Sequence, residues 1–419
     1  MFPPTGLTRA SLLALFLVLP ALSRAQQADE VKGAPAEPAD AAEVRSEIAL
    51  AERLQSSVPD RGAVLYFIAT RKQHLGETYE AMKLMKECVA LREGFDPSGS
   101  PSFFGLREAK EFQDLAEAVH RDFPVVAQAH VVFETAEKDI VPEGLAFNAR
   151  QNVFYLSSLN LRKILKITPK GESGEVSDFV PAGVHRLLPV LGIRMDPTDD
   201  SVWANSFAER GEAELLHFSA GGELLGRYSL HDSAKHGFND LVVRKNGEVI
   251  LTDSLSGAVY RFDPRSHSFT SLRLDRELSY PNGIALASDD RQLFIADDLG
   301  VIRLDLQSNT SAEVNPGAHS TLAGIDGLYW HHGGLIAVQN DIGSPRIAAF
   351  RLSNDGLHVT RTTVLENRTP LVATPTTGAI KDNDFYFIVN SQIDNLNDDK
   401  VLDATRLTRV RIAAVHLPW

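Results

Sequence analysis

The sequence predicts a mainly β protein, a six-bladed β-propeller that follows a small α-helical domain. Two observations lead to this fold class. Beyond Ala127, short apolar runs recur in units of 43 to 51 residues and are separated by Gly, Asp and Asn turns. Before Pro124, apolar residues instead recur with the period of a helix. Repeats of roughly 40–50 residues with several short strands each are typical of propeller blades, and six such units predict six blades.

Composition limits the class of protein and the kind of partner. The chain has 419 residues, of which 43% are hydrophobic and 23% charged, as in an ordinary globular protein. Its formal charge of −13 argues against a nucleic-acid partner, because no basic field faces a phosphate backbone. The single cysteine, Cys88, excludes a disulfide framework and a cysteine-based zinc site.

Residues 1–25 predict a signal peptide. A basic residue precedes an apolar run at 11–22, and Ser23 and Ala25 supply the small residues of a cleavage site. The run is shorter than the roughly 20 residues that span a bilayer, and Pro20 interrupts it. We therefore expect an exported protein, periplasmic or secreted, without a membrane span.

The next two segments predict a linker and a helical domain. Residues 26–43 are rich in Ala, Pro, Asp and Glu and predict a flexible acidic linker, and the helical period covers residues 44–125. The positions that resemble one tetratricopeptide repeat are Leu65, Ala69, Gly76, Ala81, Met85 and Cys88. That resemblance implies a groove for a protein partner. The alternative, which we favour because solenoids need about three repeats, is a short helical domain packed against its neighbour.

Six short motifs open the six units of the propeller, which covers residues 126–419. They are Glu143-Gly144-Leu145, Leu191-Gly192-Ile193, Asn239-Asp240-Leu241, Asn282-Gly283-Ile284, Asp326-Gly327-Leu328 and Thr377-Gly378-Ala379. Second strands follow at 153–157, 202–205, 249–253, 293–297, 335–339 and 385–390. The ring must also close. We predict that residues 130–133 pair as the outer strand of blade six, beside residues 407–415.

The first strand of each blade lines the propeller axis, so the six opening residues face one another around a ring. Four of them, Glu143, Asn239, Asn282 and Asp326, carry the oxygen ligands that a hard divalent cation requires. The absence of Cys and His from this set favours calcium and leaves magnesium, manganese and zinc as alternatives. These residues are otherwise common turn formers. We favour the metal site because four of them share one repeat phase.

The motifs around these residues also resemble those of a known family. Pro142-Glu143-Gly144, Phe238-Asn239-Asp240, Tyr280-Pro281-Asn282-Gly283 and Ile325-Asp326-Gly327 are similar to the metal-binding motifs of the senescence marker protein, gluconolactonase and luciferin-regenerating enzyme family. The resemblance implies that these four residues bind a divalent cation and that Asp326 is also the catalytic base or nucleophile. It further implies hydrolysis of sugar lactones or organophosphate-type esters. Gluconolactonase-type members carry an Arg where this chain has Gly237, which argues against sugar lactones.

Each second strand runs antiparallel to the first strand of its blade, so its end lies on the same face of the propeller as the ring of opening residues. These strand ends, the loops that enter the blades and the opening residue of blade six supply the candidates for substrate contact, which are Asn205, His236, Asp253, Tyr280, Asp297, Asn340, Thr377 and Asn390. The sequence thus predicts a divalent-metal-dependent hydrolase of small-molecule lactones or related esters, in which Asp326 assists attack by water. The alternative is a propeller that binds a ligand or a protein and holds a structural cation.

Overall fold

The computed structural model describes residues 38–170, 173–208, 210–397, 400–401 and 403–419. The predicted signal peptide, residues 1–25, and most of the predicted linker lie outside the described residues, so both stay predictions. Within the described part of the chain, no helix is long and apolar enough to cross a membrane.

The N-terminal part of the described chain is helical. Its helices are α1 (Ala41–Leu54), α2 (Arg61–His74), α3 (Thr78–Leu91) and α4 (Lys110–Asp122), with a 3-10 helix at Pro101–Leu106. The first helix begins at Ala41, inside the segment predicted as linker. Ala41 and Val44 are buried there, which explains why the helix starts before the first strongly apolar residues of the sequence.

The rest of the chain forms β-strands. The first two blades and the strands before them are β1 (Val126–Ala127), β2 (His130–Glu134), β3 (Leu145–Asn148), β4 (Val153–Ser157), β5 (Ile164–Lys170), β6 (Ser173–Val180), β7 (Val190–Met195), β8 (Val202–Ala208), β9 (Glu212–Phe218) and β10 (Leu224–Tyr228). Blades three and four are β11 (Phe238–Val243), β12 (Val249–Asp253), β13 (Ala258–Asp263), β14 (Ser268–Ser271), β15 (Ile284–Leu286), β16 (Gln292–Asp297), β17 (Gly300–Asp305) and β18 (Thr310–Glu313). The remaining strands are β19 (Ile325–His331), β20 (Gly334–Gln339), β21 (Arg346–Leu352), β22 (Val359–Asn367), β23 (Gly378–Lys381), β24 (Asp384–Ile388), β25 (Leu396–Asn397), β26 (Lys400–Val401) and β27 (Arg411–His416).

Six antiparallel sheets form the six blades, which confirms the predicted fold class. In five of them the inner strand of the blade is at one edge, and the next three strands along the chain follow it outward, as in the order β3-β4-β5-β6. Blade six closes the ring with the order β2-β27-β24-β23, in which His130 lies opposite Ala414. The predicted closure is therefore confirmed. The pairing of β1 with β22, which adds a fifth strand to blade five, is not among the features that the sequence predicts.

The core lies between neighbouring blades. Every residue of β4, β8 and β12 is buried, because each second strand is covered by a blade on either side. Trp203 of blade two, for example, meets Phe262 of blade three edge-on, with ring centroids 5.9 Å apart. Burial on both faces explains why these strands lack the alternation of apolar and polar residues that a half-exposed sheet shows.

The helical domain packs on the face of the propeller where the blade-opening motifs lie. Val44, Ile48 and Ala51 of α1 join a core cluster with Leu299, which follows the second strand of blade four. At blade five, Asp96 N–H donates to Ile342 O at 2.8 Å, and Ser344 Oγ donates to Asp96 Oδ2 at 2.5 Å. The favoured expectation of a helical domain packed against its neighbour agrees with these contacts. A tetratricopeptide repeat stays a prediction.

A second element covers the same face from the other side. The segment between β24 and β27 includes the short β25–β26 hairpin. Ile393, Leu396 and Val401 of this segment share a core cluster with Val141 of blade one and Leu191 of blade two. Helices therefore cover blades four and five, and this segment covers blades one and two.

Candidate functional site

The four predicted ligands, Glu143, Asn239, Asn282 and Asp326, lie at the axial starts of blades one, three, four and five; we call them the collar. Glu143, Asn239 and Asp326 are only 6–7% exposed. The collar is formed by one short motif per blade, each placed just before or within an inner strand. The charge of Asp326 acts on Glu143, Asn282 hydrogen-bonds Asp326, and Asn239 is linked to the Asn282 segment through Ser254, so the four residues are connected to one another in this pairwise way.

Two oxygen atoms of the collar are buried without a hydrogen-bond partner. They are Glu143 Oε2 and Asn282 Oδ1. A buried acceptor that gives up water and gains no donor costs roughly 1–3 kcal/mol, and more when it is charged. A cation at the axis would satisfy both oxygens at once. The donor set therefore fits a hard divalent ion, with two carboxylates and two amide oxygens available.

Both collar carboxyl groups have raised pKa values, chiefly because they are buried. Burial raises the pKa of Asp326 to about 7, although hydrogen bonds from Asn340 and Asn282 oppose this. Burial, followed by the charges of Asp326 and Asp240, raises the pKa of Glu143 well above its usual range. Concentrated negative charge in a buried place is costly by itself and is relieved by a bound cation.

The glycines that follow two collar residues have a packing role. A Cβ at Gly144 would lie 2.2 Å from Leu191 O, and one at Gly283 would lie 2.4 Å from Asp326 O. Neither glycine has a positive φ. The inner strands of neighbouring blades thus approach so closely that no side chain fits at these two positions, and a turn is not the reason for glycine here.

Two non-glycine residues with left-handed backbone precede collar residues by two positions. They are Val141, with φ of 44°, and Tyr280, with φ of 51°. For a β-branched or bulky residue this conformation is rare and costs roughly 1–3 kcal/mol. The backbone of Val141 leads into Glu143, and the backbone of Tyr280 leads into Asn282. Strain of this kind concentrates where a fold fixes functional side chains.

Hydrogen bonds fix the collar side chains and their backbone. Asn340 Nδ2 donates to Asp326 Oδ2 at 2.6 Å and to Pro375 O at 2.9 Å. Thr377 Oγ1 donates to Glu143 O. Asn340 and Thr377, both predicted substrate contacts, therefore position collar residues, whether or not they also reach a substrate.

Other predicted substrate contacts make their hydrogen bonds away from the collar. His236 Nδ1 lies 2.5 Å from Asp253 Oδ2, and Asp253 Oδ1 accepts from Gly237 N at 2.8 Å. Asp297 forms a buried ion pair with Arg276, whose Nη2 lies 3.0 Å from Asp297 Oδ1. These three side chains stabilise the loops of blades three and four, because loop groups already occupy their polar atoms.

Asn390 and Asn205, two further predicted substrate contacts, differ in what their side-chain amides bind. Asn390 donates to Thr408 Oγ1 and Arg409 O, both at 3.0 Å, and accepts from Arg411 N at 2.9 Å, so it belongs to the framework of blade six. Asn205 is fully buried and donates to Asp240 O at 3.1 Å, while its Oδ1 has no partner. Of the two, only Asn205 adjoins the collar, through the residue that follows Asn239.

A buried cation beside the collar escaped the sequence reasoning. Arg194, on the inner strand of blade two, lies 2.8 Å from Asp240 Oδ2, and its guanidinium carbon is 5.0 Å from the centre of the Tyr329 ring. Tyr329 Oη in turn accepts from Gly378 N at 2.7 Å. The signal in the sequence was a basic residue in an apolar inner strand, together with the acid that follows Asn239.

Ser254, which the sequence analysis does not single out, also contacts the collar. Asn239 Nδ2 donates to Ser254 Oγ at 3.0 Å, and Ser254 Oγ donates to Pro281 O at 2.6 Å. Ser254 thus links the collar residue of blade three to the segment that carries Asn282. Because Asn239 uses its amide nitrogen in this bond, its Oδ1 is the atom available to a ligand.

The helical domain contributes a further charge to this face. Arg71 of α2 is buried, with Nε 3.1 Å from Glu47 Oε2 and Nη2 3.8 Å from Asp298 Oδ2. Burial raises the pKa of Asp298 to about 8, although the charge of Arg71 lowers it.

Among the described residues, no group of three or more His, Cys, Asp or Glu side chains is arranged to hold a metal ion. The collar has two carboxylates and completes its donor set with amides, which is a mode of binding that suits calcium more than zinc.

No protein-family model matches the chain, and no curated protein matches it either. Solved propeller structures do resemble it. A gluconolactonase from Xanthomonas campestris is 15% identical, with 69% of this chain and 89% of that one covered and a TM-score of 0.48. A luciferin-regenerating enzyme is 13% identical over 67% and 92%, with a TM-score of 0.46.

An aldose sugar dehydrogenase from Streptomyces coelicolor is similar to the same degree, with 14% identity over 70% and 98% and a TM-score of 0.49. One of these similar proteins is named a gluconolactonase and another is named a dehydrogenase. The likeness therefore concerns the fold and does not choose an activity.

Proposed function

We propose that the protein is a hydrolase of lactones or related esters that depends on a divalent metal ion, most readily Ca²⁺, held by Glu143, Asn239, Asn282 and Asp326. The observation that carries this proposal is the pair of unpartnered buried oxygens, Glu143 Oε2 and Asn282 Oδ1, next to two carboxyl groups that burial and proximity destabilise as anions. The name of the gluconolactonase among the similar structures agrees with it. On the basis of residues 1–25 we further propose that the protein is exported.

The chemistry divides between the ion and the side chains. When bound, the ion supplies positive charge that polarises a carbonyl or phosphoryl oxygen and lowers the pKa of water. Asn340 Nδ2 donates to Asp326 Oδ2 and positions the carboxylate, which accepts a proton from the attacking water. The water oxygen bonds to the acyl carbon, the ester bond to the alcohol oxygen breaks, and the proton held on Asp326 passes to the alcohol oxygen as it leaves.

The test combines metal removal with collar variants. Purified mature protein is treated with chelator, reloaded with Ca²⁺, Mn²⁺, Mg²⁺ or Zn²⁺, and assayed on γ- and δ-lactones, phenyl acetate and an aryl phosphotriester. We expect turnover only with metal, and a fall in kcat/KM of about 10²-fold or more for Asp326→Ala. Asp355→Ala, a loop carboxylate away from the axis, is the control. Full turnover in chelator, or in Asp326→Ala, would refute the proposal.

One observation favours a second candidate, a binding propeller with a structural cation. A Cβ at Gly237 would lie 2.7 Å from Leu255 Cγ, so the position that carries a substrate-binding Arg in gluconolactonase-type proteins is filled here by the side chain of Leu255. In this case Ca²⁺ should raise the melting temperature of the wild type and not that of Glu143→Gln, while the whole substrate panel stays unhydrolysed.

A further inference from the structure

A cleft runs along the seam between α1 and the propeller. It is open to solvent, and about 610 Å³ of space without protein atoms lies within it, the solvent at its mouth included. Its lining residues come from both domains: Glu43, Ser46, Glu47, Leu50 and Arg53 of α1, and Ser254, Leu255, Glu277, Leu278, Ser279, Tyr280 and Asp298 of blades three and four. Neither domain alone forms this cleft, because one wall is helical and the other consists of blade loops.

The inner end of the cleft is lined by two residues that adjoin the collar, Ser254 and Tyr280. Ser254 lines the cleft and accepts the hydrogen bond of Asn239 Nδ2 at 3.0 Å. Tyr280, the strained residue that leads into Asn282, lines it too. The charges of Asp298, Asp326 and Glu143 all act on the Tyr280 hydroxyl, which places this side chain between the cleft and the collar.

The faces of α1 are divided between packing and the cleft. Val44, Ile48 and Ala51 pack into the core cluster that contains Leu299. Ser46 and Leu50, which are four residues apart and so lie side by side, line the cleft instead. The helix is thus held to the propeller by one face while a neighbouring face forms the cleft wall.

The lining is rich in acids. Four carboxylic side chains, at Glu43, Glu47, Glu277 and Asp298, line the cleft against one basic side chain, Arg53. Arg53 Nη2 is already 3.0 Å from Glu277 Oε2. The apolar part of the lining consists of three leucines, and the remaining groups are hydroxyls. Because burial raises the pKa of Asp298 to about 8 and Arg71 pairs with Glu47, the excess negative charge of the lining near pH 7 is small, and it favours neutral or cationic molecules with an apolar part over anions.

We propose that this cleft is the route by which substrate reaches the collar, that α1 is its outer wall, and that its acidic lining selects neutral or cationic substrates over anionic ones. The inference rests on the proposed hydrolase function. The cover of blades one and two by Ile393 and Leu396, and of blades four and five by the helices, explains why access is lateral. The helical domain is therefore a specificity element.

The route is tested by blocking the cleft. Ser46→Cys and Ala49→Cys place single reactive thiols on exposed positions of α1, of which only 46 lines the cleft, and the native Cys88 is buried. Each variant is labelled with a bulky maleimide. We expect labelling at 46, and not at 49, to lower kcat/KM for phenyl acetate by about tenfold or more. Hydroxyl-radical footprinting of Tyr280 should show protection by the label at 46 alone.

The two readouts separate the inference from the proposed function. If turnover and Tyr280 oxidation are both unaffected by the label at 46, the route is wrong and the hydrolase proposal stands. If the wild type hydrolyses no ester while the label at 46 protects Tyr280, the hydrolase proposal fails and the cleft remains the access to the collar. Loss of turnover with unchanged Tyr280 oxidation would also overturn the route, because the label would then act elsewhere.

The charge selectivity is tested by alkylation at the same thiol. Iodoacetate and iodoacetamide differ in charge and little in size. Both alkylate the thiolate form of the cysteine, so the ratio of their rates does not depend on the fraction of thiol that is ionised. In Ser46→Cys we expect Glu277→Lys to raise the rate ratio of iodoacetate to iodoacetamide about threefold or more at low salt. Glu52→Lys, an equal change on exposed α1 surface outside the cleft, is the control. Equal ratios in the two variants would overturn the selectivity.

Discussion

Asp60 is the residue whose replacement tests most directly how the helical domain is held on the propeller. It precedes α2 and caps it by accepting from Ala63 N at 3.0 Å. Its other oxygen accepts from Thr321 Oγ1 at 2.7 Å and from Leu322 N at 2.9 Å, both in the loop before the inner strand of blade five. The side chain is buried, so Asp60→Ala leaves three donors without an acceptor.

The expected cost follows from these contacts. Each buried donor left unsatisfied costs roughly 1–2 kcal/mol, which gives a loss of about 3–6 kcal/mol when the wild-type carboxyl group is neutral. Burial raises the pKa of Asp60 from 3.8 to about 6, against the hydrogen bond from Thr321. The ionised carboxyl group therefore stabilises the folded protein by about 3 kcal/mol less than the neutral one does. This figure follows from the rise in pKa, since one pKa unit corresponds to about 1.4 kcal/mol.

The sign of the pH dependence is fixed by the direction of the shift. Because folding raises the pKa of Asp60, its contribution to stability is complete below the unfolded pKa and declines as the pH rises toward about 6. The destabilisation caused by Asp60→Ala should thus be larger at acid pH. Between about pH 4.5 and about pH 7.5 the difference should shrink by about 2 kcal/mol, most of the total effect.

Urea unfolding followed by the helical circular dichroism signal measures this difference at both pH values. The control is Asp403→Ala, which removes an exposed cap that accepts from Thr405 N at 2.9 Å. A hydrogen bond from Thr405 lowers the pKa of Asp403, so the loss caused by this variant should instead grow as the pH rises. A pH-independent cost of Asp60→Ala, or a cost that grows with pH, would refute the role assigned to the buried carboxyl group.

Two further variants test the framework. Gly343→Ala places a Cβ 1.7 Å from Asp96 O at a φ of 87°, and we expect it to make the helical domain susceptible to limited proteolysis. Gly333→Ala is the control: its φ is 85° as well, but its Cβ lies 3.6 Å from the nearest atom, so it should lower stability in thermal unfolding by only about 1 kcal/mol. Arg194→Met should lower stability by about 3–5 kcal/mol, because Asp240 is left as an uncompensated buried charge; a change under about 1 kcal/mol in denaturant unfolding would contradict the pairing.

The sequence predicts the propeller well because each blade repeats the same local rules. Residues that open blades, such as Glu143 and Asp326, recur at one phase, and that phase specifies both the strand and its place at the axis. Closure by β2 is also predictable, since a leftover strand before blade one has one vacant edge to fill. The pairing of β1 with β22 is not, because two residues carry no periodic signal.

The collar is predictable for the same reason, and its surroundings are not. Asn340 and Tyr280 belong near it because strand ends and blade loops share a face. His236 and Asp253 carry the same sequence signal, yet they bind each other. Which of two polar loop residues faces the axis depends on side-chain pairing between loops. Arg71 lies more than 200 positions from its partner Asp298, and no repeat relates the two domains.

Gly237 and the helical domain are connected through Leu255. A Cβ at Gly237 would lie 2.7 Å from Leu255 Cγ, so a side chain at this position requires Leu255 to move. Leu255 also lines the cleft beneath α1, together with Leu50 of that helix. A larger residue at position 237 would therefore change the shape of the cleft as well as the loop that leads into Asn239. On the proposed lateral route, the residue at 237 and the helical wall would act on the same substrate, because both shape the cleft through Leu255.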